Sequence, residues 1–384
     1  MKILNINSLL DPISGGGTSE RTIQMSLHLS KVKKIQVSIL TLNLGITNEV
    51  KNKLTDVKLI EVPCLNKRFL IPSIFNKKIK KSILQADIIH LMSHWNMINL
   101  IAYFWIIKFK KPYVVCPAGA LPIFGRSKFL KKLYNFFGGK SYIKNANINI
   151  AITTDEYDDF AHYGVDKNNI ILIPNGIDPS LYKSKNNAYI REKFHIGSNP
   201  FLLFVGRLNY IKGPDLLLEA FAMIHKQYPT LKIVFAGPDN GMKYKLITES
   251  EKLQIIDKLN FVGFVNGKLK SMLYHASELL VIPSRSEAMS IVVLESAVTS
   301  TPVLMTNKCG LEEMADKNVA ISVNPDSASI ADGLLSILDK DYDLDLYGKK
   351  IKKYVESKFL WKNVIIKYIQ MYEDILSIGN KQDF

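Results

Sequence analysis

Cysteine is scarce in this 384-residue chain, and its three cysteines, Cys64, Cys116 and Cys309, lie far apart. No C-x-x-C pair occurs, so the spacing argues against a disulfide framework or a zinc site and is typical of a reducing compartment. Long apolar runs are also missing, because the longest, at 97–107, is well below the ~20 residues that span a bilayer. The apolar first ten residues hold one lysine, which predicts a first strand rather than a signal peptide.

Acidic residues are sparse in the amino-terminal half. Residues 1–185 hold 26 Lys and Arg against 12 Asp and Glu, a balance of +14, whereas residues 186–384 hold 24 against 23, a balance of +1. Such a field favours an anionic partner. No zinc-finger, RNP or basic-zipper pattern accompanies it, so we expect anionic lipid headgroups or a phosphorylated acceptor rather than nucleic acid.

Short apolar runs alternate with helical segments along the chain. The runs lie at 3–6, 37–42, 58–62, 88–91, 113–116, 201–205, 231–236, 255–262, 279–282 and 302–305. This alternation predicts an α/β fold with parallel sheets, and the length exceeds what one core usually sustains. We predict one domain at 1–185, completed by a carboxyl-terminal helix at 359–384, and a second domain at 186–358, with the boundary in the polar stretch 183–188.

Two carboxylates follow the strand predicted at 279–282. The run V-I-P-S-R-S-E-A-M-S-I-V-V-L-E at 281–295 predicts a strand, a turn and a helix whose first amides, near Ser290 and Ile291, suit a phosphate. Glu287 and Glu295 are about two helical turns apart, so both carboxylates can accept hydrogen bonds from a sugar or a ribose in one cleft. A capped surface helix with two solvated acids explains the spacing equally well.

Two cations follow the strand predicted at 201–205. The run F-V-G-R-L-N-Y-I-K-G at 204–213 places Arg207 and Lys212 in the turn before a helix. Fixed cations of this kind neutralise a diphosphate without a metal, although an Arg and a Lys after a strand are usually solvated loop residues.

A glycine-rich loop precedes the first predicted helix. Gly15, Gly16 and Gly17 let the backbone approach a ligand closely and leave the helix amides free, as a phosphate loop requires. A flexible turn is the alternative interpretation.

Taken together and in order, these motifs resemble the retaining glycosyltransferases of family four, which have the GT-B fold of two Rossmann-like domains facing across a cleft. The family's G-R-x-x-x-x-K-G and E-x7-E are matched at 206–213 and at Glu287 with Glu295, and its P-N-G-I-D at 174–178. On the acceptor side, H-x-H-G-x-W appears as H-L-M-S-H-W at 90–95 and P-H-G-M-L as P-A-G-A-L at 117–121. The departures from the family pattern are Met92, Ala118, Ala288 and Ser300.

The resemblance implies transfer of a sugar from a UDP- or GDP-linked donor, with retention and without a metal or other cofactor. Arg207 and Lys212 would stabilise the departing diphosphate, Glu287 would hold hydroxyls of the donor sugar, and Glu295 would hold the ribose. The other implied contacts are Gly16 and Gly17 toward the donor, Val265 with the base, Ser290 and Ile291 with phosphate, and His90 and His94 with the acceptor and in catalysis.

Two stretches of the basic half mix aromatic residues with lysine, at 66–84 and 126–144. The second carries Phe129, Phe136 and Phe137 beside Lys128, Lys131, Lys132 and Lys140. They suit interfacial helices on an anionic membrane, although core helices with a solvated basic face would have the same pattern. With the resemblance, they predict a cytoplasmic protein, peripheral at the inner face of the plasma membrane, that extends a lipid-linked saccharide of bacterial O-antigen, capsule or exopolysaccharide.

Two rival functions fit parts of the pattern. A nucleotide-sugar epimerase on the same scaffold leaves the basic aromatic face without a purpose. A non-catalytic partner subunit that binds nucleotide sugars explains Met92 and Ala118, but it would have no need for the four charged donor residues.

Overall fold

The computed structural model describes residues 1–11, 13–73, 77–123, 127–338 and 343–382. The chain packs as two compact units, unit 1 with Met1–Gly176 and Trp361–Phe384, and unit 2 with Ile177–Leu360. The units therefore change over at 176/177 and 360/361, whereas the predicted limits were 185/186 and 358/359. The turn Pro179–Tyr182 belongs to unit 2 because the Tyr182 hydroxyl donates a hydrogen bond to Glu295.

A seven-stranded parallel sheet forms the centre of unit 1, in the order β3-β2-β1-β6-β7-β8-β9. Its strands are β1 (Lys2–Ile6), β2 (Gln36–Leu42), β3 (Lys58–Val62), β6 (Ile88–Met92), β7 (Tyr113–Cys116), β8 (Ile148–Ala151) and β9 (Ile170–Leu172), and a separate hairpin pairs β4 (Cys64–Asn66) with β5 (Ile71–Pro72). The central strands are mostly apolar because helices cover both faces of a parallel sheet, although Asn5, Thr41 and His90 are buried in them. Ile6, Leu40, Leu91 and Val115 of these strands are buried in one core.

The helices of unit 1 are α1 (Gly16–Ser30), α2 (Asn48–Lys53), α3 (Lys77–Gln85), α4 (Met97–Lys108), α5 (Lys128–Tyr134), α6 (Lys140–Lys144), α7 (Glu156–His162) and the carboxyl-terminal helix (Trp361–Gln382). The last of these packs on α1 and buries Trp361, Tyr368 and Tyr372. Gly176 of the predicted P-N-G-I-D turn must be glycine, because a Cβ there would lie 2.4 Å from the Trp361 ring. Within the described ranges, no helix is both long and apolar enough to cross a bilayer.

The two basic aromatic stretches have different structures. In 66–84, the end of the hairpin is followed by α3, which buries Ile79 and Ile83 and therefore serves as a core helix with a lysine-rich outer face. In 126–144, a kink at Phe137 and Gly138, where Gly138 has φ +123°, separates α5 from α6, and α5 buries none of its residues. Ile74, Phe75 and Arg126 of these stretches lie outside the described residues.

Unit 2 is built on a six-stranded sheet in the order β12-β11-β10-β13-β14-β15. Its strands are β10 (Phe201–Val205), β11 (Lys232–Ala236), β12 (Leu259–Gly263), β13 (Leu279–Ile282), β14 (Val303–Thr306) and β15 (Ile321–Val323). Its helices are α8 (Asn187–Lys193), α9 (Pro214–Ile224), α10 (Lys243–Lys252), α11 (Gly267–Ala276), α12 (Ile291–Val298), α13 (Glu313–Asp316), α14 (Ser327–Leu338) and α15 (Leu344–Lys358). Strands β10 and β13 are parallel neighbours. The two donor motifs follow these strands, so they share the carboxyl edge of the sheet, where open α/β sheets bind ligands.

Candidate functional site

An ion pair joins the two predicted donor motifs within unit 2. The Lys212 Nζ lies 2.6 Å from Glu287 Oε2, and the Ser284 hydroxyl donates to the other oxygen of the same carboxylate. Both charged side chains are mostly buried, with 22% and 11% of their surface exposed. Charge-assisted bonds of this kind hold a carboxylate and an ammonium in fixed positions, so a ligand at this edge meets a preformed pair of opposite charges.

The loop between β10 and α9 holds Lys212 in place. Its backbone amide donates a hydrogen bond to Asn209 Oδ1 at 3.0 Å, in a 3-10 turn that spans Tyr210–Lys212. Gly213 then has φ +67°, and a Cβ there would lie 2.0 Å from the Pro283 carbonyl oxygen. The loop thus contacts the turn after β13 at Gly213, and any residue with a Cβ at this position would force the backbone to move. Arg207, at the start of the loop, is exposed.

A second arginine fastens the same loop. The Arg285 guanidinium donates to both carboxylate oxygens of Asp215 at 2.8 and 3.0 Å and to the Tyr210 carbonyl at 2.7 Å. It also lies 3.9 Å from the centroid of the Tyr210 ring. The pKa of Arg285 is raised: burial opposes the charged form, but the hydrogen bonds and charge of Asp215 outweigh it. Arg285 therefore joins the turn that bears Glu287 to the loop that bears Lys212.

The helix that follows Glu287 begins with a buried polar residue. Ser290 is the N-cap of α12, its amide donates to the Cys309 carbonyl at 2.9 Å, and its buried hydroxyl has no hydrogen-bond partner within the described part of the chain. The Glu287 amide likewise donates to the Lys308 carbonyl at 2.8 Å. The amides of Glu287 and Ser290 are thus already hydrogen-bonded. The donors that α12 offers to an anion are the backbone amides of its first turn, from Ile291 onward, and the Ser290 hydroxyl.

Glu295 is almost completely buried, with 2% of its surface exposed. Its Oε1 accepts hydrogen bonds from Lys270 at 2.6 Å and from the Tyr182 hydroxyl at 2.8 Å, and its Oε2 accepts from the Tyr274 hydroxyl at 2.6 Å. Burial, and then the Glu295 charge, raise the pKa of Tyr274 well above its usual value, so this tyrosine is a neutral donor. Three internal donors already satisfy the carboxylate that was predicted to hold a ribose.

The remaining predicted donor contacts lie in two different units. Val265 is buried in the segment between β12 and α11 of unit 2. Gly16 and Gly17 begin α1 of unit 1, where Asp11 fixes the preceding loop by accepting from the amides of Ile13 and Ser14. Among the residues that the structure describes, no three His, Cys, Asp or Glu side chains are grouped so as to hold a metal.

Both predicted histidines of unit 1 are completely buried. His90 on β6 is hydrogen-bonded through Nδ1 to the Tyr372 hydroxyl at 2.8 Å. His94 is hydrogen-bonded to the Tyr142 hydroxyl at 2.5 Å and to Asn135 Oδ1 at 3.1 Å. Burial lowers the pKa of each imidazole to about 3, so both are neutral at physiological pH. Their catalytic role stays a prediction, and both rings would have to be uncovered before they could contact a substrate.

Comparison with known proteins connects these sites to a family. A family model described as "Glycosyltransferase Family 4" matches residues 15–181, and one described as "Glycosyl transferases group 1" matches residues 186–358. The chain belongs to glycosyltransferase family four. Its curated relatives include an uncharacterized glycosyltransferase of Methanocaldococcus jannaschii, 31% identical over 55% of this chain and 55% of the relative. Another is the D-inositol 3-phosphate glycosyltransferase of Geodermatophilus obscurus, 30% identical over 45% of this chain and 41% of the relative. The matched stretches thus span about half the length of these relatives.

Solved structures show the fold over almost the whole chain. HepE of Anabaena, crystallised with UDP and glucose, has a TM-score of 0.78 and 16% identity, with 97% of this chain and 100% of that chain covered. Sucrose-phosphate synthase of Thermosynechococcus elongatus has a TM-score of 0.75 and 18% identity, with 98% and 100% covered. With two parallel-sheet α/β units, the predicted GT-B fold class is confirmed.

The structure accounts for two departures from the family-four pattern in unit 2. Ala288 replaces the usual glycine and is not among the described residues with positive φ, so its methyl group causes no backbone strain. Ser300 does have φ +63°, a conformation that is costly for a residue with a Cβ. Its carbonyl lies where a Cβ on Gly348 of α15 would be 2.0 Å away. The close approach of α15 therefore fixes the shape of this turn.

The two departures in unit 1 differ in burial, since Met92 is buried and Ala118 is partly exposed. Met92 is fully buried at the end of β6, where its carbonyl accepts from Asn99. Ala118 has φ +51°, and the next amide, of Gly119, donates to the Glu156 carboxylate. Glu156 thus fastens the segment that carries a basic residue in other family-four enzymes.

Four residues around the donor motifs did not emerge from the sequence: Tyr182, Lys270, Tyr274 and Arg285. Lys270 and the two tyrosines come from elements other than the helix that bears Glu295, and no local sequence pattern predicts contacts between separate elements. Arg285 had a signal, because it lies inside the 281–295 motif only two residues before Glu287.

Proposed function

We propose that this protein is a retaining, metal-independent glycosyltransferase that takes a sugar from a UDP- or GDP-sugar and passes it to a saccharide acceptor. The observation that carries the proposal is the Lys212–Glu287 ion pair, because it brings a diphosphate-binding cation and a hydroxyl-binding carboxylate to one sheet edge. Arg207 is exposed on the same loop. Family membership supplies the reaction class, and the charges of this edge supply the donor chemistry.

The reaction follows from where charge develops. The bond from the sugar's anomeric carbon to the β-phosphate oxygen breaks, and a bond to the acceptor oxygen forms on the same face. The acceptor's proton passes to the departing phosphate. Arg207 and Lys212 stabilise the charge on that phosphate, as preorganised donors do in many transferases. Glu287 holds hydroxyls of the donor sugar, and no covalent nucleophile takes part.

The first turn of α12 supports a phosphate position. A helix N-terminus carries partial positive charge and unpaired amides. Here Ser290 adds a buried hydroxyl that has no partner within the described residues, and an unsatisfied buried donor is costly unless a ligand or water meets it. We therefore place the diphosphate between this turn and the loop bearing Lys212.

The acceptor is proposed to be a lipid-linked saccharide of a bacterial surface polysaccharide, at the cytoplasmic face of the membrane. The support is the segment around α5, where Phe129, Phe136 and Phe137 are 76%, 82% and 69% exposed in a region of net positive charge. Exposed aromatic residues beside lysine suit an anionic lipid surface. One structural neighbour, WaaG, is a glycosyltransferase involved in lipopolysaccharide biosynthesis, and it has a TM-score of 0.66 and 19% identity.

A binding and turnover experiment tests this function. Calorimetry with UDP, GDP and their common sugar conjugates should find a nucleotide sugar that binds, and slow release of free sugar without acceptor should follow. An altered sugar still attached to the nucleotide would instead support the epimerase, and binding without turnover would support the non-catalytic subunit. Chelator should leave the rate unchanged if no metal is required.

A further inference from the structure

We propose that α4 (Met97–Lys108) is the centre of a membrane-binding face in unit 1, and that its outer side enters the interface of an anionic lipid bilayer. This inference rests on the proposed function, because it names the surface that would hold the enzyme where a lipid-linked acceptor is found. It goes beyond the α5 segment, since α4 lies outside both basic aromatic stretches and adds about three turns of apolar helix.

The first argument is that α4 is apolar on its outer side as well as on its inner side. Four residues of the inner side are buried in unit 1: Ile98, Asn99, Ala102 and Ile106. Five apolar residues recur at spacings of three and four along the opposite side: Met97, Leu100, Ile101, Phe104 and Ile107. A helix that is apolar all round is normally buried, yet Phe104 is 59% and Ile107 53% exposed. The outer side therefore suits an apolar environment that the chain itself does not supply within its described residues.

The neighbours of α4 extend this side into a larger face. Toward α5 and α6, a Cβ on Gly138 would lie 3.5 Å from the Leu100 side chain, and the exposed Phe137 directly precedes Gly138. Toward α3, the ammonium groups of Lys80 and Lys108 lie 5.3 and 5.4 Å from the centroid of the Trp105 ring. The face thus runs from the lysines of α3 across α4 to the aromatic residues that follow α5.

The positive charge of the chain is concentrated in the same elements. Residues 62–154, which include α3 to α6, hold 15 Lys and Arg against a single acidic residue, Asp87, a balance of +14 that equals the balance of residues 1–185. None of the four helices contains Asp or Glu. A second copy of this chain would bring the same charge and be repelled, so the charge favours an anionic partner.

The dimensions and edges of α4 suit a helix that lies on a membrane. Its 12 residues extend ~18 Å at about 1.5 Å per residue, so the helix is too short to cross a hydrocarbon core of ~30 Å. Interfacial helices have an apolar side edged by lysine and tryptophan, and they lie in the plane of the membrane with that side toward the acyl chains. Nucleic acid would match the charge of this face but not the apolar side of α4.

The position of α4 connects the face to the acceptor side of the proposed reaction. Asn96 caps the helix, because its side chain accepts a hydrogen bond from the Asn99 amide at 3.0 Å. The loop 93–96 joins this cap directly to the carboxyl end of β6, and ligands of open parallel sheets bind at that end. A membrane-bound α4 would therefore hold the loop of the predicted acceptor motif beside the lipid headgroups, where the saccharide of a lipid-linked acceptor is exposed.

The test is flotation of the full-length chain with vesicles of phosphatidylcholine and phosphatidylglycerol. Phe104→Ser combined with Ile107→Ser should lower the vesicle partition coefficient by about tenfold or more, because two large apolar side chains no longer leave water. The ratio should persist when salt is added, since salt screens only the contribution of the lysines. Ile366→Ser with Ile378→Ser, at residues 63% and 59% exposed on the carboxyl-terminal helix of the same unit, is the matched control and should bind like the wild type. Equal partition of the Phe104 and Ile107 variant and the wild type would overturn the inference.

Tryptophan quenching gives a second test that leaves the outer side of α4 unchanged. Brominated phosphatidylcholine in the same vesicles should quench the fluorescence of the wild type. Trp105→Phe should lose much of this quenching, because Trp361 is buried and Trp95 belongs to the loop before α4. The same fractional quenching in the wild type and in Trp105→Phe would place α4 outside the bilayer and overturn the inference.

Other occupants of the face give different results. Sedimentation velocity that finds a wild-type dimer, and a monomer for the Phe104 and Ile107 variant, would assign the face to a second copy and overturn the inference. Binding to isolated bacterial membranes but not to the lipid vesicles would assign it to a membrane protein, with the same consequence. A wild type that binds neither vesicles nor membranes would overturn the proposed membrane-bound acceptor as well, whereas a wild type that floats together with an equally floating Phe104 and Ile107 variant overturns this inference alone.

Discussion

The Lys212 ammonium and the Glu287 carboxylate lie 2.6 Å apart, so the cation and the acid of two distant motifs occupy one position at the carboxyl edge of the unit 2 sheet. Each neutralises the other before any ligand arrives. A diphosphate that draws on Lys212 and a sugar that draws on Glu287 therefore meet groups that are already aligned, and this preorganisation is the physical basis of the account.

The Glu287 carboxylate should matter for turnover more than for nucleotide binding. We expect Glu287→Gln to lower kcat by ~10²-fold while the Kd for the nucleoside diphosphate stays within about threefold, because the carboxylate is assigned to the sugar. Glu278→Gln, at an exposed position of the same unit, is the control. Near wild-type turnover, or a loss confined to nucleotide affinity, would show that Glu287 does not hold the donor sugar.

Gly213 should be needed for the contact between the two loops. A Cβ at this position would lie 2.0 Å from the Pro283 carbonyl oxygen, whereas at Gly241, which also has positive φ, nothing lies within 4 Å. Both Gly→Ala changes cost about 1–2 kcal/mol of backbone strain, so calorimetric unfolding should show a similar minimum loss. Gly213→Ala alone should also weaken nucleotide binding, and equal binding by the two variants would argue against the loop contact.

Acid should destabilise unit 1 through its buried histidines. Burial lowers the pKa of His90 and of His94 from 6.5 to about 3. Between these values the unfolded chain binds protons that the folded chain does not, so the free energy of unfolding falls as pH falls. Each histidine contributes up to about 1.4 kcal/mol per pH unit in this range. The raised pKa of Glu156, caused by burial, offsets part of this loss as that carboxyl takes up its proton.

Tryptophan fluorescence measures this effect selectively, because all three tryptophans, Trp95, Trp105 and Trp361, belong to unit 1. Urea unfolding at pH 7.5 and 5.5 should show a smaller loss of stability in His94→Gln than in the wild type. His162→Gln, which replaces an exposed ring, should keep the wild-type dependence. The same acid loss in His94→Gln and wild type would mean that His94 is not held neutral.

The α5 segment should carry the binding to anionic vesicles. We expect the full chain to float with vesicles that contain anionic lipid, and added salt should weaken this because charges are screened beyond ~8 to 10 Å. Replacing Phe129, Phe136 and Phe137 by serine should reduce flotation, as should neutralising Lys128, Lys131 and Lys132, without changing donor hydrolysis. Lys131 also lies 4.9 Å from the Trp95 ring, so the lysine variant needs a check of its folding.

Ser substitutions at the exposed Met223 and Tyr244 of unit 2 are the control. Flotation without preference for anionic lipid at low salt would favour a soluble acceptor.

Local patterns in the sequence were enough to predict the fold and the sheet edge at which the candidate site lies. Continuous apolar runs predicted the parallel strands, and the order of strands in a sheet places residues such as Arg207 and Glu287 at the same edge. The contact between Lys212 and Glu287 was not predicted, because it depends on β10 and β13 being neighbours in the sheet, which no spacing in the chain gives.

Contacts between distant elements could not be predicted in this way. Glu295 was taken as an open ligand, but its partners Tyr182, Lys270 and Tyr274 come from three other places in the chain. The charge of Arg21 is buried against Asn175 and Tyr368 in the same manner. The amphipathic pattern alone also did not separate a core helix from an exposed one: α3 buries Ile79 and Ile83, whereas Phe129 of α5 and the following Phe136 and Phe137 are exposed.

The most direct test of the account is proton NMR of donor hydrolysis by wild type and by Arg207→Ala and Lys212→Ala, using the nucleotide sugar that binds most tightly. The account predicts that the first free sugar has the anomeric configuration of the donor and that each variant is slower by ~10²-fold or more, because each loses a donor to the departing phosphate. Lys226→Ala, exposed in the same unit, should hydrolyse the donor at the wild-type rate. Release of the opposite anomer first, or near wild-type hydrolysis by the Arg207 or Lys212 variant, would contradict it.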